Sequence, residues 1–109
     1  MSTPEGRVKS WLKTQLRLRL PDGFMYMPPG GAFGKAGMPD ILYLWRGVLI
    51  AIETKSGLPG ARPTALQLKK LQLISSAGGL AALMNGKDEA KLALIVDRAR
   101  SMANARSVQ

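Results

Sequence analysis

The chain of 109 residues contains no cysteine and no histidine. Without cysteine it can form no disulfide, no thiolate zinc site and no thiol nucleophile. Without histidine it has no histidine general base, no histidine metal ligand and no Ser-His-Asp triad. Any catalytic chemistry must therefore come from carboxylates, lysines, hydroxyls or a metal held by oxygen atoms.

Acidic residues and long apolar runs are also scarce. Seven Asp+Glu stand against 16 Lys+Arg, which gives a formal net charge of +9. A small domain this basic usually binds a polyanion, most often a nucleic acid; an ordinary basic protein and an anionic membrane surface are the alternatives. No stretch approaches the ~20 apolar residues of a membrane span, and the N-terminus lacks the apolar core of a signal peptide. We therefore expect one cytoplasmic domain covering residues 1–109.

Apolar periodicity and turn residues predict the element order α-β-β-β-α-β-α, an α/β domain in two or three layers with a mixed sheet flanked by helices. Thr3 caps the first helix and Thr64 the second, which ends at Gly78 and Gly79. Because VLIAI in the third strand is apolar throughout, we expect that strand in the centre of the sheet, covered on both faces. The strands are FMYM, DILYLW, GVLIAIETK and LAALM, and the last helix is KDEAKLALIVDRARSMANA. Three apolar residues of the second helix are expected in the core: Leu66, Leu71 and Ile74.

One glutamate lies on the apolar side of the predicted first helix. The apolar stripe consists of Val8, Trp11, Leu12 and Leu16, and a basic face beside it carries Lys9, Lys13 and Arg17. Glu5 precedes Val8 by three residues and Leu12 by seven, so it points to the side of the stripe. Glu5 is either turned inward toward a site or is a first-turn residue that complements the helix dipole.

DILYLW and GVLIAIETK read as a hairpin whose strands bring charged residues together. If the turn is centred on the Arg-Gly pair, Asp40 lies opposite Glu53, at the Cβ separation of about 4.5–5.5 Å typical of antiparallel partners. Lys55 is two residues beyond Glu53 and projects from the same face. A loop with an odd number of residues would instead place Asp40 opposite Thr54.

Two facing carboxylates repel each other unless a proton or a cation lies between them. Oxygen ligands favour Mg²⁺ or Mn²⁺, which can activate a water and neutralise charge on a phosphate. A neighbouring lysine can orient the nucleophile or stabilise the charge of the transition state. The alternative is that Asp40 is a turn residue and that Glu53 and Lys55 form an ordinary ion pair at a strand end; the residues alone leave both interpretations open.

The segment GMPDILYLWRGVLIAIETKSG resembles the PD-(D/E)xK nuclease signature, with Pro39-Asp40 followed by the triplet Glu53-Thr54-Lys55. Within that superfamily the chain is most similar to the VRR-NUC (virus-type replication-repair nuclease) family. The ordered features that carry the resemblance are Glu5, Gly37 to Asp40, Trp45, Ile52 to Lys55, and Gln67. The resemblance implies a restriction-endonuclease-like core.

The resemblance also implies a phosphodiesterase that depends on Mg²⁺ or Mn²⁺, with no organic cofactor. Its implied catalytic residues are Glu5, Asp40, Glu53, Lys55 and Gln67. Asp40, Glu53 and the backbone carbonyl of Thr54 would hold the metal. Lys55 would position or activate the attacking water. Glu5 would lie near the metal, and Gln67 would orient Lys55 or the phosphate.

Small stand-alone members of that family, common in phages, are similar to Holliday-junction resolvases, which implies branched DNA as substrate and a homodimer. DNA contacts, mainly to phosphates, are expected at Arg7, Lys9, Lys13, Lys35, Lys69 and Lys70. The segment from Met25 to Met27 is either a dimer contact or part of the core. The alternative functions are a basic nucleic-acid-binding domain without catalysis and a flap or restriction-type nuclease of the same fold.

Overall fold

A computed structural model describes residues 2–29 and 36–107 of the chain. Its elements are α1 (Pro4–Arg19), β1 (Phe24–Tyr26), β2 (Ile41–Trp45), β3 (Val48–Lys55), α2 (Ala65–Ser76), β4 (Leu80–Asn85) and α3 (Glu89–Ser107). This is the predicted order α-β-β-β-α-β-α. Within the described ranges, no helix is both long and apolar enough to cross a membrane.

The four strands form one mixed sheet in the order β1-β2-β3-β4. The pairs β1–β2 and β2–β3 are antiparallel, while β3 and β4 are parallel. The parallel pair is joined through α2, as a crossover connection requires. The central position predicted for β3 is confirmed.

The hairpin between β2 and β3 has the predicted even register, with Trp45 opposite Val48. Its turn residues Arg46 and Gly47 have φ of 47° and 78°. Positive φ at both central positions defines a type I′ turn, whose twist matches that of the flanking strands. The Arg46 guanidinium lies over the Trp45 ring, 4.9 Å from its centroid, and this cation–π contact accompanies the unusual backbone of a non-glycine residue.

One face of the sheet is fully covered by α1 and α3. The buried residues there include Val8, Leu12, Leu16, Val48, Ile50, Ile52, Leu92, Val96 and Ala99. Two aromatic side chains tie the end of α1 to β2. The Tyr43 hydroxyl donates to the Leu20 carbonyl at 2.6 Å, and the Trp45 indole N–H donates to the Pro21 carbonyl at 2.9 Å. These bonds satisfy the polar ends of rings that are otherwise buried, and they fix where α1 lies on the sheet.

The other face is covered only in part, because α2 is its one described helix. Ala51 is buried beneath it, but Leu49 is 37% exposed and Leu44 is 48% exposed. The expectation that β3 is covered on both faces therefore holds for its second half and is wrong at Leu49. The expectation of a core position is confirmed for Leu71 and wrong for Leu66, which is 42% exposed.

The predicted helix caps are present. The Thr3 hydroxyl accepts a hydrogen bond from the first turn of α1 at 2.9 Å. At the end of α2, the Gly79 N–H donates to the Ile74 carbonyl and the Gly78 N–H to the Ser75 carbonyl, at 2.9 and 3.1 Å. With Gly78 at a φ of 101°, this is a Schellman motif, in which glycine takes the left-handed position without a Cβ penalty.

Candidate functional site

Asp40 stands at the bend just before β2 and is bonded to the end of β3. Its Oδ2 accepts a hydrogen bond from the Thr54 backbone N–H at 2.9 Å and from the Thr54 hydroxyl at 2.8 Å. The Asp40 side chain is 24% exposed. The carboxylate is therefore held in place through one oxygen and remains accessible at the edge of the sheet.

Glu53 is buried, with 1% of its surface exposed. Its Oε2 lies 3.2 Å from the Lys55 ammonium, whereas its Oε1 is buried with no hydrogen-bond partner among the described residues. The pKa of Glu53 is raised from 4.5 to about 7, chiefly by burial and then by the charge of Asp40, while Lys55 lowers it. The predicted convergence of the two acids is thus present in the fold.

Lys55 joins the end of β3 to the start of α1. Its ammonium lies 3.8 Å from the Glu5 Oε1, as well as 3.2 Å from Glu53, and its side chain is 15% exposed. Glu5 reaches this position because α1 begins above the end of the central strand. The structure therefore places Glu5 beside the acids of the hairpin, and the catalytic role of Glu5 stays a prediction.

Lys9 also belongs to the site, although the sequence indicated it only as a DNA-binding residue on the basic face of the first helix. Its ammonium lies 3.6 Å from the Asp40 Oδ1, and its side chain is 31% exposed. Lys9 follows Glu5 by four residues, so both side chains lie on the same side of α1. That spacing was readable in the sequence, but only the position of α1 over the sheet shows that Lys9 meets Asp40.

Strand geometry indicates on which side of β3 the backbone carbonyl of Thr54 lies. The N–H and C=O of one strand residue point to the same side, and the next residue points to the opposite side. The Thr54 N–H donates to Asp40, whereas the Lys55 carbonyl accepts from the Gly86 N–H at 2.9 Å on the β4 side. The Thr54 carbonyl is therefore on the β2 side of β3, the side from which Asp40 bonds the Thr54 N–H.

Gln67 caps the start of its own helix, α2. Its Oε1 accepts from the Thr64 N–H at 2.8 Å, and its backbone N–H donates to the Thr64 hydroxyl at 3.1 Å, which together form a capping box. The sequence Thr-Ala-Leu-Gln carries the signature of this motif. The described contacts of Lys55 are to Glu53 and Glu5, so the predicted contact between Gln67 and Lys55 is not formed here.

The glycine that precedes Met38-Pro39-Asp40 packs against the same helix. Gly37 has a φ of 80°, and a Cβ built on it would meet the Leu66 side chain at 2.6 Å and the Leu66 backbone at 3.0 Å. Only glycine combines that backbone conformation with such a close approach. The contact positions the segment that leads into Asp40.

The remaining residues predicted to bind DNA lie on two helices. Arg7 and Lys69 are exposed, while Lys13 and Lys70 are half-buried. Lys35 lies outside the described residues. Arg7 and Lys13 are on α1, close in sequence to Glu5 and Lys9, whereas Lys69 and Lys70 are on α2.

The two acids fit a small divalent cation that keeps much of its water. The described part of the chain has no group of three or more acidic, histidine or cysteine side chains that could hold a metal. Mg²⁺ needs no such group, because it binds through one or two carboxylates and fills its remaining positions with water and substrate phosphate. The buried Glu53 oxygen without a partner is the observation that supports the fit, since a buried charged oxygen is costly unless a cation or a proton neutralises it.

The fold is similar to that of a solved structure described as "VRR_NUC domain", with a TM-score of 0.68 and 23% sequence identity over 88% of this chain and 97% of the other. No family model matches the chain, and no curated protein matches it by sequence. The likeness confirms the predicted fold, a mixed α/β domain with the fold of that VRR_NUC structure.

Proposed function

We propose that this chain is a single nuclease domain that cleaves DNA phosphodiester bonds with Mg²⁺ or Mn²⁺. The observation that carries the proposal is the pair formed by Asp40 and Glu53 at one end of the central hairpin, with the Glu53 Oε1 buried and unbonded among the described residues. Lys55 lies 3.2 Å from the second Glu53 oxygen. The likeness of the fold to a VRR_NUC domain supports the same proposal.

Asp40, Glu53 and the Thr54 carbonyl are the proposed metal ligands. When bound, the ion would supply Lewis-acid polarisation of the phosphate and lower the pKa of a water. The chain holds these ligands in fixed positions. Thr54 is fully buried and donates two hydrogen bonds to Asp40, so the two acids keep their spacing without the ion.

Lys55 is proposed to position the attacking water and to stabilise charge on the phosphate. Its ammonium lies between two carboxylates, at 3.2 Å from Glu53 and 3.8 Å from Glu5. These two ion pairs restrict the position of the ammonium. Glu5 is therefore proposed to hold Lys55 in place rather than to act on the substrate directly.

Branched DNA is the proposed substrate, cut by a homodimer in the cytoplasm. An exposed apolar surface supports the dimer. Phe24 is 69% exposed and Tyr26 is 51% exposed, and they lie on the same sheet face as Leu44 and Leu49. Contiguous apolar surface of this kind marks interaction sites. Met25, in contrast, is half-buried and packs against the core, so the dimer contact is assigned to its two neighbours.

The test is cleavage of a four-way junction, a flap and a plain duplex in Mg²⁺, in Mn²⁺ and in EDTA. We expect cleavage with either metal, none in EDTA, and preference for the junction. Asp40→Asn and Lys55→Gln should abolish cleavage, whereas Asp97→Asn, an exposed acid on α3, should not. Full activity of Asp40→Asn and Lys55→Gln, or cleavage in EDTA, would show that the site is wrong.

The pattern of cuts and the molar mass in solution test the finer claims. Paired symmetric nicks by a dimer support a resolvase, and replacing Phe24 and Leu44 by serine should then give monomers. Isolated cuts by a wild-type monomer would point to a flap or repair nuclease. Tight binding of every substrate without cleavage under any metal would identify a DNA-binding domain without catalysis.

A further inference from the structure

A groove with a volume of about 420 Å³ runs along the outer side of α1. One wall is formed by Arg7, Ser10, Trp11, Thr14 and Gln15 of α1, and Lys87 stands on the other. The lining residues include two cations, an indole ring and several hydroxyl or amide groups, and no acidic residue. We call this feature the α1 groove. Its lining has the composition of a surface that contacts both phosphates and bases.

The α1 groove lies at the end of the sheet that carries the candidate site, on the opposite side of α1 from Glu5 and Lys9. Arg7 follows Glu5 by two residues, and the Glu5 carboxylate lies 3.8 Å from the Lys55 ammonium. Lys87 directly follows Gly86, whose N–H donates to the Lys55 carbonyl at 2.9 Å. From Arg7 to the far end of the wall is eight helical residues, or about 12 Å.

The Trp11 ring is positioned so that a base could stack on it. It is half-buried and packs against the hydrophobic core, while part of it lines the α1 groove. A ring already fixed by the core loses little conformational freedom when a base stacks on it. Duplex DNA offers no free base face, whereas an unpaired strand offers one at every nucleotide.

The charge of Lys87 is not taken up by its acidic neighbours in sequence. Asp88 accepts a hydrogen bond from the Lys91 N–H at the start of α3, at 3.0 Å. Glu89 forms an ion pair with Arg19 at 3.1 Å. Lys87 is exposed and belongs to the turn between β4 and α3, so its ammonium can follow a phosphate. Arg7 supplies a second cation across the groove, with one guanidinium N–H bonded to the Ser2 carbonyl.

We propose that the α1 groove binds an unpaired DNA strand at the end of the sheet that carries the cleavage site, with a base stacked on Trp11 and phosphates at Arg7 and Lys87. The inference rests on the proposed nuclease function, and it adds to that nuclease a contact for any nucleotides that are unpaired in the bound substrate. The ligand class is single-stranded DNA of any sequence, because stacking and phosphate contacts read no base edge.

The experiment measures binding of the oligonucleotide dT12 in EDTA, where no cleavage occurs. Trp11→Leu should weaken binding about 5- to 100-fold, the range found when a stacking aromatic is removed. Trp11→Phe keeps a stacking ring and should bind within about threefold of wild type. The same variants should bind a 12-base-pair duplex as wild type does, because that contact depends on charge.

Fluorescence gives a readout that loss of folding would not imitate. The chain has two tryptophans, and the other, Trp45, is 5% exposed with its indole N–H bonded to Pro21. Quenching by dT12 should therefore come from Trp11 and disappear in Trp11→Phe while binding remains. Quenching that persists in Trp11→Phe would overturn the stacking contact.

The charge contact is tested with Lys87→Gln against Arg98→Gln, an exposed arginine on α3. Lys87→Gln should reduce the slope of log K against log salt for dT12 by about 0.7, the value for one phosphate contact on a single strand. Arg98→Gln should leave the slope unchanged. Equal slopes in wild type and Lys87→Gln would overturn this part.

The inference and the proposed function can fail separately. If the protein cleaves DNA with Mg²⁺ but Trp11→Leu binds dT12 as tightly as wild type, the inference is wrong and the nuclease assignment stands. If Trp11→Leu loses dT12 binding as expected but no metal supports cleavage, the α1 groove stands and the nuclease assignment is wrong.

Discussion

The two faces of the central strand β3 differ in what covers them. Ile50 and its neighbours on one face are fully buried under α1 and α3, while Leu49 on the other face is 37% exposed beside α2. The less covered face also carries Glu53 and Lys55, by the strand alternation. A buried carboxylate oxygen without a partner among the described residues, here the Glu53 Oε1, lowers the free energy of unfolding. The comparison teaches that packing on the face under α1 and α3 offsets this cost.

The largest effect is expected from Glu53→Gln, which should change the cleavage rate but not the stability of the fold. Glu53→Gln should reduce cleavage by about 10³-fold or more, because a neutral amide is a poor ligand for the ion. The same change should not lower the free energy of unfolding at pH 8, since it removes a buried charge. Steady-state cleavage and urea unfolding of the same preparation give both numbers. A variant that loses activity only because it unfolds would contradict the assignment.

Packing is tested by truncating neighbours on opposite faces of β3. Ile50→Ala should lower the free energy of unfolding by about 3 kcal/mol, because it leaves a cavity in a fully covered core. Leu49→Ala should cost less than about 1 kcal/mol, since its side chain is already partly in water. Urea unfolding of the two variants measures the difference. Equal losses would mean that the open face is covered in solution, as in a dimer.

The elevated pKa of Glu53 predicts an unusual pH dependence for the metal-free protein. With a pKa of 4.5 when unfolded and about 7 when folded, the folded state binds more protons between these values. The free energy of unfolding should therefore fall as pH rises from about 4.5 to about 7, by about 3 kcal/mol.

Glu53→Gln is the matched control for that pH dependence. It has no ionisable group at this position, so its stability should lack the fall between pH 4.5 and 7. Thermal or urea unfolding in EDTA across pH 4 to 8 measures both proteins. An identical pH dependence in the variant and the wild type would show that Glu53 titrates normally.

The smallest expected effect concerns Lys9, which competes with a cation for Asp40. Removing its charge in Lys9→Met should tighten Mn²⁺ binding about three- to fivefold, in line with the worth of a partly exposed ion pair. Lys13→Met, one turn further along α1, is the matched control and should change the affinity less. Calorimetry without DNA measures both, and weaker binding in Lys9→Met would contradict the competition.

Those parts of the site that depend on residues close together along the chain were predictable from the sequence. Asp40 and Glu53 belong to two strands joined by a short turn, so the register of one hairpin brings them together. The capping box that engages Gln67 was also readable, because it needs only Thr64 three residues before it. The catalytic role expected of Gln67 came from the resemblance, and its hydrogen bonds here serve the helix start instead.

Contacts between distant segments could not be read in the same way. The Lys9–Asp40 and Glu5–Lys55 pairs depend on where α1 crosses the end of the sheet. Periodicity shows which side of a helix is apolar, but not what lies opposite its polar flank. The exposure of Leu66 was missed for the same reason, because α2 is apolar on more of its surface than the sheet beneath it covers.

The sequence by itself determined the element order and the helix caps, and it reduced the central hairpin to two registers, one of which has the facing acids, since each of these features depends on residues close together along the chain. Only the tertiary structure decided that Lys9 and Glu5 join those acids, that Glu53 is buried with one oxygen unbonded among the described residues, and that a basic groove with Trp11 lies on the other side of α1. Those features depend on how helices are positioned on the sheet, which is set by the shape of the whole core rather than by any local pattern.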